Sequence, residues 1–194
     1  MTGRPAKAPR SGRRPRESGG RKAAPAPVLY GRDAEIALID GLIARVPDGG
    51  VAVLISGDPG IGKSSLLDAA RHRAENHGMR VLRLFGAACE RHLPFGGLHQ
   101  AIAPILAQAE SLPARQRAAL QAAFGLSDDA TAPDIFLVAL ATLTLLTANA
   151  ARKPVLLVAD DVQWLDRPSY DVRAFGSRRL SSAPIIVLMA TREE

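Results

Sequence analysis

Gly57-Asp58-Pro59-Gly60-Ile61-Gly62-Lys63-Ser64 fits the pattern G-x-x-x-x-G-K-S, and Ser65 follows it. Each fixed position has a chemical reason. The glycines allow backbone angles and a closeness of approach that a side chain would forbid. The N–H groups of such a loop converge on anionic oxygens at the start of a helix, where the helix dipole also favours negative charge. Lys63 adds a point charge for β- and γ-phosphates, and Ser64 adds a hydroxyl for Mg²⁺. Residues 57–65 are therefore a candidate cradle for nucleotide phosphates, with Lys63 also a catalytic candidate. The plain alternative is a glycine-rich strand-to-helix turn. The flanking pattern, an apolar run before and a helical stretch after, weighs against it.

A phosphate cradle needs a partner that holds the metal and positions water. "PVLLVADDVQWLD" offers one. Its apolar run, Val155 to Val158, delivers Asp160 and Asp161 at the C-terminal end of a strand, the edge where ligands bind in open α/β sheets. Asp160 is the candidate Mg²⁺ ligand, direct or through water. Asp161 is the candidate to orient or deprotonate an attacking water. The bland alternative is that the pair caps a turn, and for Asp166, just ahead of Pro168, that reading is preferred. His72 and His77 read as exposed helix positions and Cys89 as a bystander. No HExxH, paired-cysteine or G-x-S-x-G spacing occurs.

Elements must deliver these residues to one place. "VAVLIS" (51–56), "MRVLRLF" (79–85), "PVLLVA" (154–159) and "PIIVLMAT" (184–191) are short apolar runs, as expected of strands buried on both faces. Helical spacing precedes the first run, with Asp33 as its expected N-cap, and a helix is expected from Lys63 to Asn76. Residues 87–151 read as helical: "PFGGLHQAIAPILAQA", "PARQRAALQAAF", and "APDIFLVALATLTLLTANAA" with Pro133 in its first turn. The last is uncharged from 135 to 151, but its length and its threonines fit a buried helix better than a membrane span. A further helix is expected from Ser169 to Leu180. Strands alternating with helices predict an α/β fold, a parallel sheet of four strands with helices on both faces and a helical insertion. No helix follows the fourth strand, so an open edge and a bare apolar face are expected there, with marginal stability as the consequence.

Charge divides the 194 residues in two. Residues 1–27 carry eight Lys/Arg against one acid, a net of +7, while the remainder has 17 basic and 18 acidic residues, a net of −1. The first segment, rich in Pro, Gly, Arg and Ser, predicts a disordered basic tail able to touch nucleic acid through charge alone. It lacks the apolar stretch of a secretory signal. Translation starting near Val28 is an alternative account of it. The single cysteine excludes a disulfide framework or a cysteine-based metal site.

The motifs together resemble the ATPase module of large ATP-binding regulators of the LuxR type, bacterial signal-transduction ATPases with numerous domains whose module is of the AAA type. The resemblance covers residues 28–194. "LYGRDAEIALI" is similar to that family's entry motif, "SGDPGIGKSSLLDAA" to its Walker A and "VLLVADDVQWLDRPS" to its Walker B. "CERHLPFGGLHQAIAPIL" is similar to the linker into its helical insertion, and "VLMATRE" to its sensor strand. The linker and Asp-Asp-x-Gln-Trp are narrower signals than the Walker motifs. The resemblance implies that Tyr30, Gly31 and Arg32 lie near adenine and ribose, and that Arg192 reads the γ-phosphate. It further implies a fifth strand, a winged helix, ligand-sensing repeats and a DNA-binding C-terminal domain that these residues do not contain. The chain is thus expected to be truncated at its C-terminus.

Three functions remain open. The first is a cytoplasmic ATP- and Mg²⁺-binding switch with slow hydrolysis, from a LuxR-type regulator or a truncated relative. The second is an autonomous phosphotransferase with an acceptor pocket in residues 87–151. The third is a non-catalytic fragment that pairs with homologous modules. DNA contact is expected only through the missing domain or weakly through the tail, and no membrane contact is expected.

Overall fold

The computed structural model describes residues 29–127, 132–177 and 182–193. The predicted tail, residues 1–27, lies outside them, as does the expected end of the last helix beyond Ser177. Four strands, β1 (Val51–Gly57), β2 (Arg80–Phe85), β3 (Val155–Asp160) and β4 (Ile185–Arg192), form one sheet in the order β1-β4-β3-β2. All three pairings are parallel.

The period-two alternation of side chains splits the core. Leu156, Val158, Ile186, Leu188 and Ala190 pack under α1 (Asp33–Arg45) and α2 (Lys63–Asn76). Leu82, Leu84, Val155, Leu157, Ile185 and Val187 face α3 (Gly96–Ile102), α4 (Ala114–Ala123), α5 (Ile135–Ala150) and α6 (Arg167–Ser177). Helices on both faces of a parallel sheet give the expected α/β fold, of the P-loop NTPase type.

The open edge is not where the sequence placed it. β4 is interior, flanked by β1 and β3 and buried from Ile185 to Ala190. The edge with a bare face is β1: Val51, Val53 and Ile55 pack against the α1–α2 core, while Ala52, Leu54 and Ser56 are exposed. "VAVLIS" is therefore a half-buried strand. Its composition resembles that of the central strands because the uncovered residues are still small or apolar.

Three further expectations are corrected. "PFGGLHQAIAPILAQA" divides at Pro104 into α3 and a run of 3₁₀ helix, Ala103–Ser111, because proline removes a helix donor and crowds the preceding turn. Pro133 precedes α5 rather than entering it; Asp134 is the N-cap, accepting from Phe136 and Leu137 N–H at 2.8 and 3.2 Å. Arg32, not Asp33, is the N-cap position of α1, and it makes no side-chain cap. α5 is buried as expected. Thr142, Thr144 and Thr147 donate to the carbonyls of Val138, Leu140 and Leu143 at 2.8, 2.8 and 2.9 Å, which satisfies the hydroxyls within the helix. Among the described residues no helix is long and apolar enough to cross a membrane.

Candidate functional site

Strand order brings the candidate residues together. β4 lies between β1 and β3, so its last residue emerges between the loop that follows β1 and the acids that end β3. Arg192 is level with Gly57 across one pairing, and Asp160 is level with Phe85 at the end of β2 across another.

The loop side is local. Gly60 and Gly62 adopt φ of 82° and 93°, left-handed values costly for any residue with a Cβ. No atom lies within 4 Å of where a Cβ would sit at either position, so backbone conformation rather than crowding calls for glycine there. Gly62 is the N-cap of α2. The Lys63 ammonium donates to the carbonyls of Gly57 and Asp58 at 2.7 and 2.9 Å. It lies folded over its own loop, where an anion would compete for it. Ser64 and Ser65 are exposed at the first turn of α2.

The acidic side is assembled from distant residues. Asp160 Oδ1 accepts from the Asp161 N–H at 2.9 Å. Asp161 is itself left-handed, with φ 48° and ψ 47°, a conformation that persists only where the surroundings impose it. Gly86 is part of those surroundings. Its N–H donates to the Asp160 carbonyl at 2.9 Å, and a Cβ on it would lie 2.1 Å from the Asp161 carbonyl oxygen. The same oxygen accepts from Trp164 N–H at 2.9 Å, closing the turn. Among the described residues, two donors reach Asp161 Oδ1: Gln163 Nε2 at 2.7 Å and Arg192 Nε at 3.3 Å.

Between the sides is an open cleft of about 270 Å³ lined by Pro59, Gly60, Gly62, Lys63, Ser64, Ser65, Asp160, Asp161 and Arg192. Of the other candidates, Gly57, Asp58 and Ile61 belong to the loop but do not line the cleft. Tyr30 is 90% exposed and does not reach the cleft. Arg32 adjoins the loop, donating to the Ile61 carbonyl at 2.7 Å. It also bonds Glu35, whose carboxyl it holds below the usual carboxylate range, chiefly through that hydrogen bond. Gly31, with φ 68°, turns the chain just ahead of it. His77 is exposed as expected, whereas His72 is half-buried beside Arg71; Cys89 is exposed.

Residues outside the sequence candidates complete the support. Asp166 does act as a cap, at the N-terminus of α6, accepting from Ser169 N–H at 2.9 Å. It also accepts from Phe95 and Gly97 N–H at 2.8 and 3.1 Å, while Ser169 Oγ accepts from Leu98 N–H at 2.8 Å. The Phe-Gly-Gly-Leu linker and the Asp-x-x-Ser segment are thus one buried joint, holding Phe95 left-handed at φ 63°. A Cβ at Gly97 would meet Leu165 Cδ2 at 2.8 Å. The glycine pair and the Asp-x-x-Ser spacing are the local sequence signals at this joint, and they do not announce each other.

Residues 28–188 match the AAA ATPase domain family. No curated protein matches the chain. Among solved structures, the Aeropyrum pernix ORC2 protein (ADPNP-ADP complexes) is similar over 90% of this chain and 44% of its own, with 19% identity and a TM-score of 0.50. The replication initiator DnaA bound to AMPPCP and single-stranded DNA is similar over 86% and 40%, with 15% identity and a TM-score of 0.43. C. elegans PCH-2 is similar over 84% and 38%, with 16% identity and a TM-score of 0.42. The chain spans 38–44% of the length of these proteins, and the likeness is one of fold.

Proposed function

We propose, for a chain that belongs to the AAA ATPase domain family, that it is an ATP-binding switch module with slow hydrolysis, derived from a LuxR-type regulator of the signal-transduction ATPase group. The observation that carries this reading is the convergence of Lys63, Asp160, Asp161 and Arg192 on one cleft. The donor set fits a nucleotide with its metal. Loop N–H groups and the Lys63 ammonium suit phosphate oxygens. Ser64 and Asp160 suit Mg²⁺, which takes few protein ligands and completes its shell from phosphates and water. Among the described residues no three His, Cys, Asp or Glu gather, so a cation here would depend on that sharing.

When bound, ATP supplies the phosphoanhydride bond to be broken. This chain's residues would do the rest. Lys63 exchanges the carbonyls of Gly57 and Asp58 for phosphate. Asp161 orients the attacking water and takes its proton. Arg192, at the tip of a central strand, distinguishes a γ-phosphate from its absence by exchanging Asp161 for it. Gly31 and Arg32, beside the loop, and Tyr30, exposed outside the phosphate cleft, would flank the base and ribose beyond the phosphates. The regulator context adds self-association with homologous modules, a cytoplasmic location, and DNA contact through a further domain or weakly through the basic residues 1–27.

Among the described residues, the cavity under residues 87–151 does not support the phosphotransferase reading. The cavity under them is about 50 Å³, lined almost wholly by Leu, Ile, Val and Ala, with Thr142, Ser169 and Arg173 its main polar contributors. Binding of labelled Mg-ATP to the full chain tests the switch reading. Lys63→Ala is expected to weaken binding on the order of a hundredfold, as loss of a charge-assisted contact predicts. Equal binding by both proteins overturns the reading.

A further inference from the structure

Gln163 spans the acidic turn and the tip of β4. Its Nε2 donates to Asp161 Oδ1 at 2.7 Å. Its Oε1 accepts from Thr191 Oγ1 at 3.2 Å and from the Arg192 N–H at 3.3 Å. The chemistry of the partners fixes which end of the amide is which, since an ionised carboxylate only accepts and a backbone N–H only donates. The side chain is half-buried, and its partners on β4 are 28 and 29 residues away. Arg192 closes the loop through its own Nε contact to the same Asp161 oxygen. Asp161, Gln163 and Arg192 therefore form a ring of hydrogen bonds in which displacing one member disturbs the other two.

We infer that Gln163 is the positioning residue through which the tip of β4 sets the orientation of the Asp161 carboxylate, so that γ-phosphate reading and water orientation change together. This rests on the proposed switch function and adds the link between its two readouts. When Arg192 leaves Asp161 for a phosphate, Gln163 is the remaining donor to Oδ1 among the described residues. Asp161 opens the short turn Val162–Trp164 that carries Gln163, so an amide that holds Oδ1 at 2.7 Å also sets which way the second oxygen faces. Gln163 touches no reacting atom and is not itself catalytic.

Full-chain wild type, Gln163→Leu, Gln163→Glu, Arg192→Ala and the Gln163→Leu/Arg192→Ala double variant test this, with Lys63→Ala as control. Without nucleotide, Gln163→Leu is expected to speed hydrogen exchange of the Arg192 amide by about tenfold, the loss of one hydrogen bond. Gln163→Glu keeps the acceptor and is expected to restore that protection. With Mg-ATP, Gln163→Leu is expected to slow single-turnover hydrolysis by about tenfold while changing the ATP dissociation constant less than about twofold. Gln163→Glu is expected to remain slow, because it sets a second carboxylate against Asp161. Arg192→Ala is expected to cost little more in the Gln163→Leu background than Gln163→Leu costs alone, since both cut one ring. Unchanged Arg192 exchange, additive losses, or equal loss of ATP and ADP binding overturns the inference and leaves Gln163 a structural brace. Labelled ATP that binds wild type and Lys63→Ala alike overturns the proposed function and this inference with it. A normal Lys63→Ala loss with no effect of Gln163→Leu overturns this inference alone.

Discussion

The loop side of the cleft is made of nine consecutive residues, Gly57 to Ser65, whose shape is set by their own backbone angles. The acidic side takes Gly86 from just after β2, Asp160 from the end of β3, Asp161 and Gln163 from the following turn and Arg192 from β4. One side is open, with no atom within 4 Å of a Cβ at Gly60 or Gly62; the other is packed until a Cβ at Gly86 would lie 2.1 Å from a carbonyl oxygen. The difference predicts what damage each side tolerates. Changes to the loop should cost binding more than folding. Changes around the acids should cost folding first, because the groups there also close the core.

Gly86→Ala is the hardest blow to the packed side. The added methyl meets backbone, not a yielding side chain, and both the Asp161 carbonyl and the Leu165 N–H region would have to move. About 3 kcal/mol or more of destabilisation is expected by chemical denaturation. A loss under about 0.5 kcal/mol would mean that the turn at Asp161 is as yielding as the loop, and the contrast would fail. Asp166→Ala comes next. It leaves the N–H groups of Phe95, Gly97 and Ser169 without their acceptor in a buried joint. A loss of about 2–3 kcal/mol is expected, and roughly half that for Asp166→Asn, which keeps one acceptor oxygen. Equal losses for the two variants would show that the charge, not the acceptor count, holds the joint.

These packed features are the ones least legible in sequence. The phosphate loop could be read because its glycines, lysine and serine act where they stand. The alternation of strands and helices could be read because the apolar runs are local. Strand order could not. β1 and β4 read alike, yet β4 is buried from both sides while β1 leaves Ala52 and Leu54 uncovered. Asp166 showed its local cap to Ser169 but not its bonds to the linker, because partners 69 and 71 residues away carry no signal at Asp166 itself. Gln163 was visible only as part of a motif, its function being a matter of what β4 brings to it.

Gly62→Ala tests the open side. The methyl has room, so only the left-handed φ of 93° is penalised, at about 1 kcal/mol of stability. ATP affinity is expected to fall further than that energy accounts for, because the N–H groups of the loop must all aim inward at once. Calorimetric binding beside a denaturation curve separates the two losses. Matching losses would mean that the loop, too, is tied to the core.

The smallest effect is expected at Arg32, which braces the loop from outside through the Ile61 carbonyl and bonds Glu35. Arg32→Ala should lower the denaturation midpoint by less than Gly62→Ala does, since solvent-exposed ion pairs contribute little. Its distinguishing mark is pH dependence. The folded-state pKa of Glu35 is lowered, chiefly by the Arg32 hydrogen bond. The pair's contribution is therefore present above the unfolded pKa of Glu35 and is lost as pH falls through its lower folded value. Wild type and Arg32→Ala should differ slightly at neutral pH and converge below the carboxylate range. A gap that persists in acid would assign the effect to the Ile61 contact instead, and the loop would then be held from outside as well as by its own backbone.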